Sequence, residues 1–410
     1  MHEKKKRDLA ALASIPLIMT LANSMLIPVL PLMQKKLGIT SVMSSLIITV
    51  YAAVSIVCIP IAGYLSDRFG RKLIIVAGLS IAAAGGVVSG LSAWFLEHQM
   101  AYAGILAGRF IQGIGAAGAF PIVLPLVGDM FKSEEEVSSG LGMIETSNTF
   151  GKVLSPILGS ALTLIVWFLP LAIIPIICVV SIIAVAVFVN APKKNGKATQ
   201  VTLKEFIQGI KAILAKEGWL YAIFAIGGLA MYLMFGFLYY LSSVLEDHYN
   251  IEGIWKGVLL AIPLSAICLA SFITGKAVGI SKVRMKWFTV FGTAITTVSM
   301  ATYAIFPSKG LFFLLLLLSI AGAGMGLILP CLDALITEGI EKKQRGTITS
   351  IYSSMRFIGV AAGPLISSLM LKKENMLFYI FAAVGLLCLC IALLAIRTGK
   401  KKFMRVKPLF

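Results

Sequence analysis

Residues 41–94 read SVMSSLIITVYAAVSIVCIPIAGYLSDRFGRKLIIVAGLSIAAAGGVVSGLSAW. Two apolar runs, 41–65 and 73–94, flank one short charged turn that runs from Asp67 to Lys72. About 20 apolar residues in a helix cross the roughly 30 Å hydrocarbon core of a bilayer, so this stretch predicts a membrane-spanning helical hairpin. Read outward in both directions, the chain predicts twelve spans, near 9–33, 41–65, 73–94, 100–128, 138–160, 165–189, 219–245, 255–280, 287–306, 311–337, 347–371 and 376–397. Pro170 and Pro175 blur the border between the fifth and sixth, because no charge occurs between Lys152 and Lys193.

Composition points the same way. Of 410 residues, 59% are apolar and 13% are charged, and the mean hydropathy is +0.95. Soluble chains carry about 45–50% apolar and about 25% charged residues. A soluble enzyme, a disordered chain and a fibrous repeat are excluded, as is a membrane β-barrel, whose alternating strands give weak hydropathy. The net charge of +18 does not mark a nucleic-acid binder, because the basic residues lie in short clusters between apolar runs. With both termini placed in the cytoplasm, only Lys35, Lys36, Lys256, Lys309, Lys372 and Lys373 fall on the outer side. This asymmetry is what the positive-inside rule requires. Lys4 to Arg7 precede an apolar run longer than that of a signal peptide, so a retained first span is expected. The six cysteines lie inside apolar runs, and neither they nor the three histidines have metal-ligand spacing. No metal and no cofactor is expected.

The longest connection, 190–218, divides the chain into predicted halves 1–189 and 219–410. Within it, Thr202 and Glu205 form a capping box, and Leu203, Phe206, Ile207, Ile210, Ile213 and Leu214 share one helical face. This pattern predicts an amphipathic helix on the inner leaflet. The halves repeat each other. Gly151, Ser155 and Pro156 correspond to Gly359, Gly363 and Pro364, and Gly113 and Gly115 correspond to Gly322 and Gly324, at nearly the same offset. Two repeated halves around a site near mid-membrane is the architecture of secondary transporters.

Three segments carry a family resemblance. The turn holds Gly63, Asp67, Arg68, Gly70 and Arg71; the fourth span holds Arg109, Gln112, Gly113 and Gly115; the fifth holds Gly151, Ser155, Pro156 and Gly159. In order they resemble the loop motif, the fourth-helix arginine motif and the antiporter motif of the major facilitator superfamily, nearest its twelve-helix drug:proton antiporters. Ser155 stands where the antiporter motif has glycine, and in the second half Gly275 to Gly279, in place of the loop motif, lack the loop acid. The resemblance implies an all-α fold of two pseudo-symmetric six-helix bundles with cytoplasmic termini. It also implies a monomeric, multi-pass protein of a bacterial plasma membrane, driven by the proton gradient. Its partners would be small amphipathic substrates, protons and lipid, with no nucleic acid. In the family the loop acid, here Asp67, meets the start of the eleventh span near Arg345, Gly346 and Thr347, with Arg71 and Asp129 beside it. That contact would latch the inner side.

Five ionisable residues fall within spans: Arg109, Glu145, Lys152, Asp333 and Arg356. Such residues are functional candidates, since burying one costs roughly 2.5–3.5 kcal/mol on insertion scales. Glu145 and Lys152 share one helical face, and the expected pairings are Asp333 with Arg356 and Glu145 with Lys152 or Arg109. Three cations against two acids weaken the case for purely cationic substrates. Asn23, Gln112, Tyr232 and Phe235 are the expected cavity residues, and Gly151, Ser155, Gly159, Gly359 and Gly363 are expected to pack the halves together. The expectation is a proton-coupled exporter of small hydrophobic or amphipathic compounds, with a dedicated metabolite or siderophore exporter as the alternative. A sensor or lipid-handling protein is the rival from another class, but no catalytic constellation and no loop longer than about 30 residues supports it. Asp67→Asn should insert normally and transport poorly at equal membrane abundance. Wild-type transport in that variant would remove the inner latch.

Overall fold

A computed structural model describes residues 3–131, 134–190, 218–278, 281–307, 310–340 and 342–396. Among them every regular element is helical. The first half of the sequence holds α1 (Glu3–Ser24), a 3-10 turn (Ile27–Val29), α2 (Leu30–Leu37), α3 (Ser41–Phe69), α4 (Arg71–Phe95), α5 (His98–Met130), α6 (Glu134–Thr163), α7 (Leu169–Ala172) and α8 (Ile174–Phe188). The second holds α9 (Trp219–Asp247), α10 (Gly253–Val278), α11 (Lys282–Ile305), α12 (Leu311–Gly339), α13 (Lys342–Met370) and α14 (Glu374–Ala395). Ten helical segments are long and apolar enough to cross a bilayer. The two other long helices, α6 and α13, carry Glu145, Lys152 and Arg356 among hydroxyl and amide side chains, which lowers their hydropathy. The amphipathic helix predicted after Thr202 lies outside the described residues.

The first span departs from the single continuous run that its sequence predicts. It breaks after Ser24, passes through the 3-10 turn and resumes at Leu30. Pro28 and Pro31 have no N–H, so Ser24 and Ile27 lose the partners an α-helix would give their carbonyls. The Ile27 carbonyl instead accepts from Ser242 Oγ at 2.9 Å, and the Pro28 carbonyl from Lys256 Nζ at 2.7 Å. The border between the fifth and sixth spans falls at residues 164–168, a few residues later than predicted, since α6 runs on to Thr163 and α7 begins at Leu169 rather than 165.

Helix packing repeats along the chain. α1 packs on α6 as α9 does on α13, α3 on α5 as α10 on α12, α4 on α5 as α11 on α12, and α4 on α8 as α11 on α14. The same small residues make the same approaches. Gly78 meets the Gly115 carbonyl, and Gly292 meets the Gly324 carbonyl. Gly113 lies on the Tyr51 carbonyl, and Gly322 on the Pro263 carbonyl. Even the lysine caps recur: Lys72 donates to the Ala186 and Val189 carbonyls at the end of α8, and Lys286 to the Leu393 carbonyl of α14. Lysine suits these positions because the last carbonyls of a helix have no intrahelical donor.

The small-residue stripe of α6 does not join the two halves of the sequence, contrary to expectation. Gly151 lies against Leu17 and Thr20, and Gly159 against the Met25 carbonyl, all in the first span. Likewise Gly359 lies on the Gly228 carbonyl and Gly363 on the Tyr232 carbonyl, both in α9. Ser155, at the departure from the motif, returns its hydroxyl to the Gly151 carbonyl at 2.6 Å, so it needs no partner on α1. Across the halves, α6 instead presents the carbonyl of Pro156 to Gly257 of α10, and α3 runs along α13. Small residues permit close backbone approach but do not select the partner helix, which is why the sequence misled here. Gly159→Leu would drive a side chain into the Met25 carbonyl, and overpacking of this kind typically costs about 1–3 kcal/mol. A lowered melting temperature of the purified protein is expected; an unchanged one would show that α1 and α6 are not tightly packed.

Candidate functional site

Arg109 is fully buried in α5. Its Nε donates to the Ile47 carbonyl at 2.9 Å, its Nη2 to Asn23 Oδ1 at 2.7 Å, and its Nη1 to the Ala22 carbonyl and to Gln112 Oε1. The Tyr51 ring covers the guanidinium at 4.2 Å from the centroid. The charge is therefore solvated by carbonyls, two amides and a π face, and among the described residues no acid pairs with it; the expected Glu145–Arg109 pairing is absent from these contacts. Asn23 and Gln112, expected in a cavity, belong to this clamp joining the first span, α3 and α5.

The remaining four intramembrane charges lie on three helices, Glu145 and Lys152 on α6, Asp333 on α12 and Arg356 on α13. Arg356 Nη1 lies 3.5 Å from Asp333 Oδ1, the expected pair. Glu145 instead accepts from Asn148 Nδ2 at 3.2 Å, and Asn148 Oδ1 accepts from Thr20 Oγ1 at 2.6 Å. Lys152, 8% exposed, makes no ion pair or hydrogen bond among the described residues. It lines a small cavity with Ser24, Pro156, Phe235, Leu260 and Leu264. Tyr232 stands apart from that cavity, packed edge-on against Phe381 with its buried hydroxyl unpartnered.

Beyond the cavity, toward residues 38–40 and 248–252, the halves of the sequence are tied by charge. Glu246 of α9 and Lys256 of α10 are 3% and 2% exposed and lie 2.7 Å apart. Lys35 of α2 adds contacts to Glu246 at 2.8 Å and to Glu252 at 3.4 Å. With Lys256 on the Pro28 carbonyl and Ser242 on the Ile27 carbonyl, this end is closed. The sequence reading missed the cluster: Lys35 and Lys256 were read as loop charges, and Glu246 lies at the last turn of a span. The only signal was three charges near span ends that the twelve-span reading places on one side.

At the opposite end, Gly70 has φ +101, a conformation that favours glycine, and ends α3 so that α4 can begin. Arg71 reaches Asp129 at 3.0 Å and Asp67 at 3.6 Å, and the Arg68 guanidinium lies over the Phe69 ring. Gly63 sits beside Ser350 of α13. The side chains of Arg345 and Thr347, the expected partners of Asp67, lie outside the described residues.

The chain matches the family model described as Major Facilitator Superfamily over residues 12–364 and again over 280–408. It is 50% identical over 379 residues to the bacillibactin exporter of Bacillus subtilis (strain 168), covering 92% of this chain and 93% of that one. It is 26% identical to macrolide efflux protein A of Streptococcus pyogenes, over 82% of each. The human organic anion transporter MFSD10 (TETRAN) shares the fold, with a TM-score of 0.75, 17% identity, and coverage of 96% of this chain and 100% of that one.

Separating the buried Glu246–Lys256 pair should loosen the closed end, since removing one member of a buried pair typically costs about 3–5 kcal/mol. In a cysteine-free background carrying Leu238→Cys in the cavity wall, Glu246→Gln should speed labelling by a membrane-impermeant maleimide added on the side of residues 38–40. Equal labelling with and without Glu246→Gln would show that the pair does not hold this end.

Proposed function

This chain belongs to the major facilitator superfamily, and from that premise we propose that it is a proton-coupled siderophore exporter of the plasma membrane. A transporter rather than an enzyme is what the family and its named relatives establish. The observation that carries the substrate is the 50% identity along nearly the whole of both chains to a bacillibactin exporter. A multidrug reading has its own support in the macrolide efflux relative and in the Met234 and Phe235 wall, because methionine and aromatic surfaces adapt to varied apolar ligands. The relative is distant, so a dedicated exporter is preferred.

In the proposed cycle twelve spans form two six-helix bundles, 1–189 and 219–410, joined by 190–218, with both termini in the cytoplasm. The repeated packing of each half supports that division. The bundles rock about the α3–α13 and α6–α10 seams, so the cavity opens to one side at a time. Lys35, Glu246 and Lys256 close the outer side, and Asp67 with Arg71 and Asp129 helps to close the inner. Proton traffic runs through Glu145 and Asp333, the acids deep in the spans. A proton on Asp333 frees Arg356, and a proton on Glu145 weakens its bond to Asn148 and hence to Thr20 of the first span. Each protonation thus loosens a tie that α6 or α13 makes with a neighbour.

Inverted vesicles should accumulate bacillibactin when a pH gradient is imposed and stop when a protonophore collapses it. Asp333→Asn and Glu145→Gln should each abolish gradient-driven accumulation while leaving downhill exchange. If both single variants and the double variant accumulate like the wild type, coupling runs through another group. Macrolide accumulation without bacillibactin accumulation would favour the multidrug reading.

A further inference from the structure

Among the charges within the spans, Lys152 has a setting of its own. Arg109 is saturated by carbonyls and amides, and Arg356 contacts Asp333. Glu145, two turns before Lys152 on the same helix, is held by Asn148 instead. Lys152 is left buried without a hydrogen bond or ion pair among the described residues, and it lines the cavity enclosed by the first span, α6, α9 and α10. Ser24, at the break in the first span, lines the same cavity and likewise makes no side-chain hydrogen bond there. The remaining walls, among them Ile27, Met234, Phe235, Leu238, Leu260 and Leu264, are apolar. In this closed form the cavity has room for about one water molecule; once the helices part, a cation and an open hydroxyl set among apolar walls are complementary to an amphiphile with an acidic oxygen.

We propose that Lys152 is the binding site for the acidic group of the exported compound, with Ser24 as second donor and the apolar body seated against α9 and α10. The ligand class is an amphipathic carboxylate or acidic phenol. This rests on the exporter reading and narrows it. A chelator for a hard cation such as ferric iron needs anionic oxygen donors, so a siderophore leaving the cell metal-free presents the group that this lysine lacks. The seat is also well placed for transport. Ile27, in the cavity wall, carries the carbonyl held by Ser242, and the adjoining Pro28 carbonyl is held by Lys256. A ligand drawn onto Lys152 therefore sits directly beneath the closed outer end.

The test measures binding of 1-hydroxy-2-naphthoate, an amphipathic carboxylate, and of its neutral methyl ester to full-length protein in nanodiscs. The wild type should bind the acid at least about tenfold tighter than the ester. Lys152→Gln should lose that preference and keep its affinity for the ester, which doubles as the control for folding, while Lys152→Arg should restore most of it. The proposal is overturned if the wild type shows no preference for the acid or if Lys152→Gln keeps it. It is overturned equally if both ligands weaken together in a monodisperse Lys152→Gln protein, which would make the lysine structural. Gradient-driven accumulation in inverted vesicles is scored separately. Acid binding that depends on Lys152 without accumulation would sink the exporter reading and leave the binding site standing.

Discussion

The break in the first span is the feature on which the other polar arrangements depend. In hydrocarbon a backbone carbonyl without a partner is costly, so helices normally consume all of theirs. Pro28 and Pro31 withhold two N–H donors, and the turn at Ile27–Val29 leaves carbonyls facing the rest of the protein. Arg109 takes the Ala22 carbonyl at the end of α1, Ser242 takes Ile27, and Lys256 takes Pro28. The Met25 carbonyl fills the space that Gly159 leaves open. One interrupted segment thereby anchors the α5 arginine, the α6 stripe and the second half of the sequence, and it also forms the wall from which Ser24 enters the cavity.

Packing outside that segment follows a simpler rule. Glycines on α4, α5, α11 and α12 let backbones touch, and the same pairs recur in both halves of the sequence. Close packing gains dispersion contacts without a hydrophobic drive, which lipid cannot supply. Such contacts are stiff, since any added atom meets backbone. The seams across the halves are of another kind. Ser45 meets Ser368 and Thr49 meets the Ala361 carbonyl between α3 and α13, while Tyr51 and Phe357 stand 6.2 Å apart. Hydroxyls and tilted rings exchange partners more easily than interlocked glycines. Rigid bodies moving about softer seams is what alternating access requires.

Much of this was legible in the sequence, and what was not has physical reasons. The charged turn at Asp67 to Lys72 placed the α3–α4 hairpin, because a charge pattern and a glycine at φ +101 are local matters. Arg356 and Asp333 were paired from helix adjacency alone. The partner of the α6 stripe was not legible, because small residues record closeness without direction. Nor was the amide and carbonyl shell of Arg109, since its donors and acceptors come from three spans distant in sequence. The Glu246–Lys256 pair escaped because residues near span ends look solvated until a neighbouring element, here α2, covers them. Prolines at 28 and 31 were visible, yet a run of apolar residues around them reads as one helix to any count of hydropathy.

The two charged ends of the molecule differ in a way that bears on how transport is driven. Glu246 and Lys256 are 3% and 2% exposed, whereas Asp67 and Asp129 are about half exposed at 51% and 48%. Exposed pairs contribute about 0–1 kcal/mol, while removing one member of a buried pair costs about 3–5 kcal/mol because the other charge is left buried and uncompensated. Shifting a two-state equilibrium from 1:99 to 99:1 takes about 5.5 kcal/mol. Loss of one member should therefore be felt far more at the Glu246–Lys256 end than at the Asp67–Asp129 end. In the proposed cycle one proton moving down a gradient of one pH unit supplies about 1.4 kcal/mol, less than the loss of one member of the buried pair would cost. The rest has to come from the compound in the cavity, through contacts it makes better once the outer end has opened. In the proposed exporter, contacts of that kind would favour opening when the cavity is loaded and closure when it is empty, which would limit proton leak through an unoccupied site.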